Sequence, residues 1–174
     1  MSKKNIIYII GFMGCGKSTA GRKLAARLGW SFTDLDRQIE KNAGKTITRI
    51  FSDEGETRFR ELEADALRSP DLTADTVIST GGGTPCFSGN MDFMLETGTT
   101  IYLKMTPGQL TKRLLNSTSE RPLIKNIPDE KLQTFIEEKL HLREKWYERA
   151  EIIVYYDNLD FQSLYSLIKK NLDQ

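Results

Sequence analysis

Ile6-Ile7-Tyr8-Ile9-Ile10-Gly11-Phe12-Met13-Gly14-Cys15-Gly16-Lys17-Ser18 is the stretch from which the fold can be read. It opens with a continuous apolar, mostly β-branched run, the pattern of a strand buried on both faces in a parallel sheet. Gly11 to Ser18 then matches G-x-x-x-x-G-K-[ST]. Glycines let the backbone take turns that a β-carbon forbids. Successive N–H groups of Gly14, Cys15 and Gly16 then point inward and form an anion nest at a helix N-terminus. In such a loop Lys17 reaches the β- and γ-phosphates of a nucleotide, Ser18 offers its hydroxyl to Mg²⁺, and Thr19 bonds a further phosphate. Cys15 reads as a small residue that fits a tight loop.

Outward from this loop, strand and helix alternate. Ala20, Leu24, Ala25 and Leu28 recur at helical spacing over Ser18 to Leu28, and Gly29 ends that helix. Ser31 to Leu35 reads as a short strand and Asp36 to Asn42 as the start of a helix that stops at Gly44. A longer helical pattern opens at Thr46, is interrupted at Gly55 and resumes to Leu67. Thr76 to Ser79 is a strand that runs into Gly81-Gly82-Gly83. Ser88 to Glu96 is helical, Thr99 to Lys104 a strand, and Thr106-Pro107 starts another helix. Asn116 to Asn126 is polar and reads as a mobile loop. A long helix begins at Pro128, Ile152 to Tyr156 is the last strand, and Phe161 to Leu172 the last helix. The alternation predicts an α/β fold, a five-stranded parallel sheet with helices on both faces. Ligands in such sheets bind beyond the carboxyl ends of the strands.

The chain has 174 residues, the size of a single domain. Lys plus Arg is 25 and Asp plus Glu is 24, so nothing in the overall charge points to a nucleic-acid or membrane-surface protein. An anion site has to be built locally. Two cysteines, Cys15 and Cys86, make no disulfide framework and suit a reducing compartment. The apolar run at Ile6 is too short for a signal peptide, and no stretch approaches the ~20 apolar residues of a membrane helix. A cytoplasmic protein is expected.

The phosphate loop leaves three classes of protein open. Guanine-nucleotide switches carry N-K-x-D, which is missing here. Assembly or motor ATPases are longer and have a strongly apolar strand ending in Asp after the loop strand. A kinase for a small molecule remains. Asp34 and Asp36 end the second strand, and residues two apart in a strand share a face. One carboxylate can hold Mg²⁺ through water and the other can take or orient an acceptor hydroxyl, while a plain helix cap by Asp36 is the bland alternative. Arg60 and Glu63 stand three apart and can pair, fixing a guanidinium for a substrate carboxylate. Gly81, Gly82 and Gly83 allow backbone N–H groups close to a ligand. Arg121 in the polar loop is suited to close over the γ-phosphoryl group. Arg143 lies late on the long helix, ahead of Trp146 and Tyr147, with a surface arginine as the bland alternative. His141 is given no role, and Trp30 and Trp146 are packing residues.

Taken in order, these motifs resemble the shikimate kinase family over nearly the whole chain. The shared elements are the loop Gly11 to Thr19, Asp34-x-Asp36, Gly55-Glu56-x-x-Phe59-Arg60-x-x-Glu63, Gly81 to Gly83, Arg121-Pro122-Leu123, and Arg143 to Tyr147. The resemblance implies a three-layer P-loop kinase fold with a lid at about 116–126 and an acceptor-binding helical region at about 36–68. It implies transfer of the γ-phosphoryl group of ATP to the 3-hydroxyl of shikimate, in chorismate and aromatic amino-acid biosynthesis, with Mg²⁺, by a monomer. Asp36, Arg60, Gly81, Gly82, Gly83 and Arg143 would form the acceptor site, with Arg60 and Arg143 on its carboxylate and Glu63 bracing Arg60. Phe51 and Phe59 would wall the pocket. Lys17 and Arg121 would stabilise the phosphoryl group, Arg113 would lie against adenine, and Asp34 would join Ser18 around the metal. Another kinase of similar fold, acting on gluconate or a nucleoside monophosphate, is the alternative. The chain departs from the family pattern at Thr84-Pro85, which stiffens the turn after the glycines, and at Tyr156 to Leu159, a loose match to the adenine loop.

Overall fold

The computed structural model describes residues 5–69, 75–117, 124–155 and 160–172. Strands β1 (Ile6–Ile10), β2 (Ser31–Asp34), β3 (Thr76–Ser79), β4 (Thr99–Lys104) and β5 (Ile152–Tyr155) form one sheet in the order β2-β3-β1-β4-β5. All four pairings are parallel. The helices are α1 (Lys17–Leu28), α2 (Leu35–Ala43), α3 (Ile47–Leu67), α4 (Asn90–Thr97), α5 (Pro107–Leu115), α6 (Asp129–Tyr147) and α7 (Phe161–Leu172). The phosphate-loop strand β1 lies in the middle, and every one of its residues is buried.

Both faces of the sheet are covered, which is why β1 is apolar without alternation. Successive strand side chains point to opposite faces. Ile9 points at α1, where a β-carbon on Gly21 would meet its Cδ1. Tyr8 points the other way, and its hydroxyl hydrogen-bonds Thr97 of α4 at 2.9 Å. Tyr102, on the same side as Tyr8, packs its ring on Tyr147 of α6 at a centroid distance of 5.1 Å. On the α1 side, Lys23 and Arg27 sit over the rings of Phe161 and Tyr165, docking α7.

Two boundaries differ from the sequence reading, and the break at Gly55 falls where it was expected. β2 ends at Asp34 and α2 starts at Leu35, because Asp34 caps the helix by accepting the Arg37 N–H at 3.4 Å. Asp36 therefore lies in the first turn of α2 and shares no strand face with Asp34. The capping role that was weighed for Asp36 belongs to Asp34. α3 runs through Gly55 as two helical pieces meeting at a residue with φ 82° and ψ 172°, a left-handed-φ conformation that glycine adopts without strain. Between β3 and α4 the chain makes a short 3₁₀ turn, Thr84–Cys86, and α4 begins at Asn90. Residues 118–123 of the polar loop, with Arg121, and residues 156–159 lie outside the described residues.

Candidate active site

The carboxyl ends of β1, β2 and β3 converge on one cleft. The loop after β1 reaches α1 through Gly16, with φ 92° and ψ 21°, and no side chain caps the helix. A β-carbon at Gly16 would be strained in that conformation, so glycine is what lets the chain turn from the loop into α1. Cys15 is buried within the loop. Lys17 is also buried, and its Nζ donates to the carbonyls of Gly11 and Phe12, each at 2.9 Å. The loop thus keeps an ammonium group over its own mouth. Thr19 is exposed one residue beyond Ser18. Arg113 of α5 crosses the loop from outside, its Nε donating to the Gly14 carbonyl at 2.8 Å.

Ser18, Asp34 and Ser79 form a cluster of oxygens beside the loop. The Ser18 hydroxyl donates to Asp34 Oδ2 at 2.8 Å and lies 3.2 Å from the Ser79 hydroxyl. These hard donors suit Mg²⁺ shared with phosphates and water, which needs only one or two protein oxygens. Among the described residues no group of three or more His, Cys, Asp or Glu could enclose a metal alone. Ser79 was missed in the sequence; its signal was a serine at the carboxyl end of an otherwise apolar strand.

Asp36 sits between the loop and two further carboxylates. Burial first, then the charges of Asp34 and Glu63, push its carboxyl from 3.8 up to about 6, with Lys17 opposing. Such a group is poised to accept a proton near neutral pH.

The three glycines after β3 each leave space for a different charged neighbour. A β-carbon at Gly81 would stand 3.0 Å from Asp36 Oδ1 and 3.1 Å from Glu63 Oε1. One at Gly82 would stand 3.1 Å from the Met13 backbone N and 3.6 Å from Arg143 Nη1. One at Gly83 would stand 2.8 Å from both terminal nitrogens of Arg60. Protein side chains and the phosphate-loop backbone thus stand against this turn where β-carbons are missing.

Arg60 is held on several sides. Its Nη1 donates to Glu63 Oε2 at 2.8 Å and its Nη2 to Glu56 Oε1 at 3.2 Å. Its guanidinium lies over the rings of Phe87, at 4.0 Å, and Phe59, at 5.1 Å. Phe59 packs on Phe51 with centroids 4.7 Å apart. Arg143, at the end of α6, sits 5.6 Å from the Phe12 ring centroid and hydrogen-bonds with Tyr147, whose hydroxyl donates to the Gly82 carbonyl. Arg143 is therefore turned into the cleft and is no surface arginine. Phe87 and Tyr147 escaped the sequence reading as site residues, because an aromatic near a turn or at a helix end carries no mark of what it touches.

A nucleotide-phosphate loop, a carboxylate of raised pKa and two guanidinium groups around one cleft, on this sheet order, are the layout of a P-loop phosphotransferase for a small acidic molecule. Comparison with known proteins narrows the class. The model of the family described as shikimate kinase matches residues 13–171. The chain is 44% identical to the shikimate kinase of Parabacteroides distasonis over 146 residues, covering 84% of each chain. The crystal structure of shikimate kinase from Bacteroides thetaiotaomicron superposes with a TM-score of 0.88 at 37% identity, covering 97% of this chain and 98% of that one. Shikimate kinase from Acinetobacter baumannii, solved in complex with shikimate, superposes with a TM-score of 0.81 at 32% identity over 97% of this chain and 91% of that one. The chain belongs to the shikimate kinase family. Among the described residues no helix is long and apolar enough to cross a membrane.

Proposed function

We infer that this protein phosphorylates shikimate with ATP, at the 3-hydroxyl, within aromatic amino-acid biosynthesis. The observation that carries the acceptor assignment is the pair of guanidinium groups, Arg60 and Arg143, set against consecutive glycines, Gly83 and Gly82, beside Asp36. Two such groups suit a carboxylate, and a carboxylate next to them suits the hydroxyls of the same ring.

In this reading the phosphate chain of ATP lies on the amides of Gly14, Cys15 and Gly16, and Lys17 leaves the Gly11 and Phe12 carbonyls for the β- and γ-phosphates. Thr19 and Arg113 add contacts to the nucleotide. Ser18 and, by way of water, Asp34 would hold Mg²⁺, which would supply neutralisation of phosphate charge. Asp36 orients the acceptor hydroxyl and takes its proton as the new O–P bond forms and the bond to the β-phosphate oxygen breaks, releasing ADP. Lys17 and Arg121 balance the charge on the moving phosphoryl group. Phe51 and Phe59 wall the acceptor pocket, and residues 36–68 and 116–126 close over it. The enzyme acts as a single-domain monomer in the cytoplasm.

A coupled ADP-release assay tests the assignment, with shikimate, gluconate and AMP offered in turn. Turnover is expected with shikimate alone; preference for either of the others would move the protein to the gluconate or nucleoside-monophosphate alternative.

A further inference from the structure

Thr84-Pro85, in the turn after the three glycines, lies against the brace of Arg60. The Thr84 hydroxyl donates to Glu63 Oε1 at 2.6 Å, and the other carboxylate oxygen receives Arg60 Nη1 at 2.8 Å. Thr84 is 0% and Glu63 1% exposed, so water cannot replace a lost partner for Oε1. Thr84 is itself fixed at its backbone. Its N–H donates to Gly81 O at 3.2 Å, and its carbonyl accepts Asn90 Nδ2 at 3.0 Å. Asn90, fully buried, accepts Arg68 Nη1 at 2.6 Å, which ties the turn back to the end of α3. Pro85 follows at the start of the 3₁₀ turn, where its fixed φ suits the backbone.

We propose that Thr84 is a positioning residue for acceptor binding: its hydroxyl holds the Glu63 carboxylate, and through it the Arg60 guanidinium, in the orientation that meets the acceptor carboxylate. Without that donor, Glu63 Oε1 has to turn toward another hydrogen, and the Arg60 Nη1 contact on the second oxygen turns with it. Gly83 and Phe87 border the Arg60 guanidinium, so following the carboxylate takes it off its place over the turn. The cost therefore falls on acceptor binding and leaves the nucleotide side alone. The proposal rests on shikimate as the acceptor, and wild-type turnover with shikimate tests that separately.

The experiment compares Thr84→Val, which keeps the shape and removes the hydroxyl, with Thr84→Ser, which keeps the hydroxyl. Initial rates are measured against shikimate and against ATP. KM for shikimate is expected to rise about fivefold or more in Thr84→Val, with KM for ATP unchanged and kcat affected less, and Thr84→Ser is expected to restore it. Equal KM for shikimate in the wild type and Thr84→Val, equal losses for both substrates, or failure of serine to rescue would each overturn the proposal. A crystal structure of the ligand-free Thr84→Val protein gives a readout that needs no turnover. The Arg60 guanidinium is expected to have shifted from its place over Gly83, and an unmoved guanidinium would also overturn it.

Discussion

Arg60 rests its guanidinium on Gly83 so closely that no β-carbon fits between them. The backbone of Gly83 is in the ordinary right-handed region, at φ −92°, so an alanine there is excluded by space and by nothing else. Gly83→Ala should push Arg60 off the turn while leaving the phosphate loop intact. KM for shikimate should rise about tenfold to a hundredfold, the worth of a charge-assisted contact, with KM for ATP unchanged in the same assay. An unchanged KM for shikimate would remove Arg60 from the acceptor site.

In the proposed mechanism Asp36 sets an acid limb on the rate. A base has to be deprotonated to act, and burial with the neighbouring carboxylates holds Asp36 up at about 6. The kcat/KM for shikimate in the free enzyme should therefore fall as pH drops through about 6, with a slope of one proton. A flat profile down to pH 5 would show that Asp36 does not titrate in the step measured.

The same carboxyl costs stability. Its folded pKa lies above its usual 3.8, so the folded state binds the proton more tightly. The benefit of that proton is present below about pH 4 and is lost as pH rises through about 6. At neutral pH the charged group then costs roughly 1–3 kcal/mol. Asp36→Asn should raise the thermal midpoint at pH 7.5 while lowering kcat severely. Equal or lower stability of the variant, measured by calorimetry, would place Asp36 in a less buried setting than described.

Lys17 is paired with loop carbonyls and is available to phosphates only by exchanging them. Lys17→Met should keep the fold, since the stem packs as before, and should cost about 10²–10³ in kcat because preorganised charge is the main catalytic instrument. Circular dichroism and single-turnover rates check the two halves of this statement. Near-normal kcat would take Lys17 out of the transition state.

Which residues were legible in advance follows from how far their partners lie in the chain. Lys17 and Ser18 announce themselves because an eight-residue loop builds its own nest from consecutive amides. Arg60 and Glu63 pair across one helical turn, so spacing alone suggests the contact. Thr84 and Glu63 stand on different elements, and their hydrogen bond has no local trace. The pairing of Asp34 and Asp36 on one strand face was misjudged because Asp34 turned out to cap the next helix, a choice that depends on where the sheet stops. Arg143 was ambiguous for the same kind of reason, since a helix pattern does not say which neighbour its end meets.

By itself the sequence determined the order of strands and helices, the phosphate nest, and the family, because periodicity and contiguous motifs depend on near neighbours along the chain. Only the tertiary structure decided that three glycines clear space for Asp36, Arg143 and Arg60, that burial and neighbouring carboxylates raise the pKa of Asp36, and that Thr84 anchors Glu63. Those properties come from burial and from charges meeting across distant segments, and they come into being when the sheet brings its strand ends together.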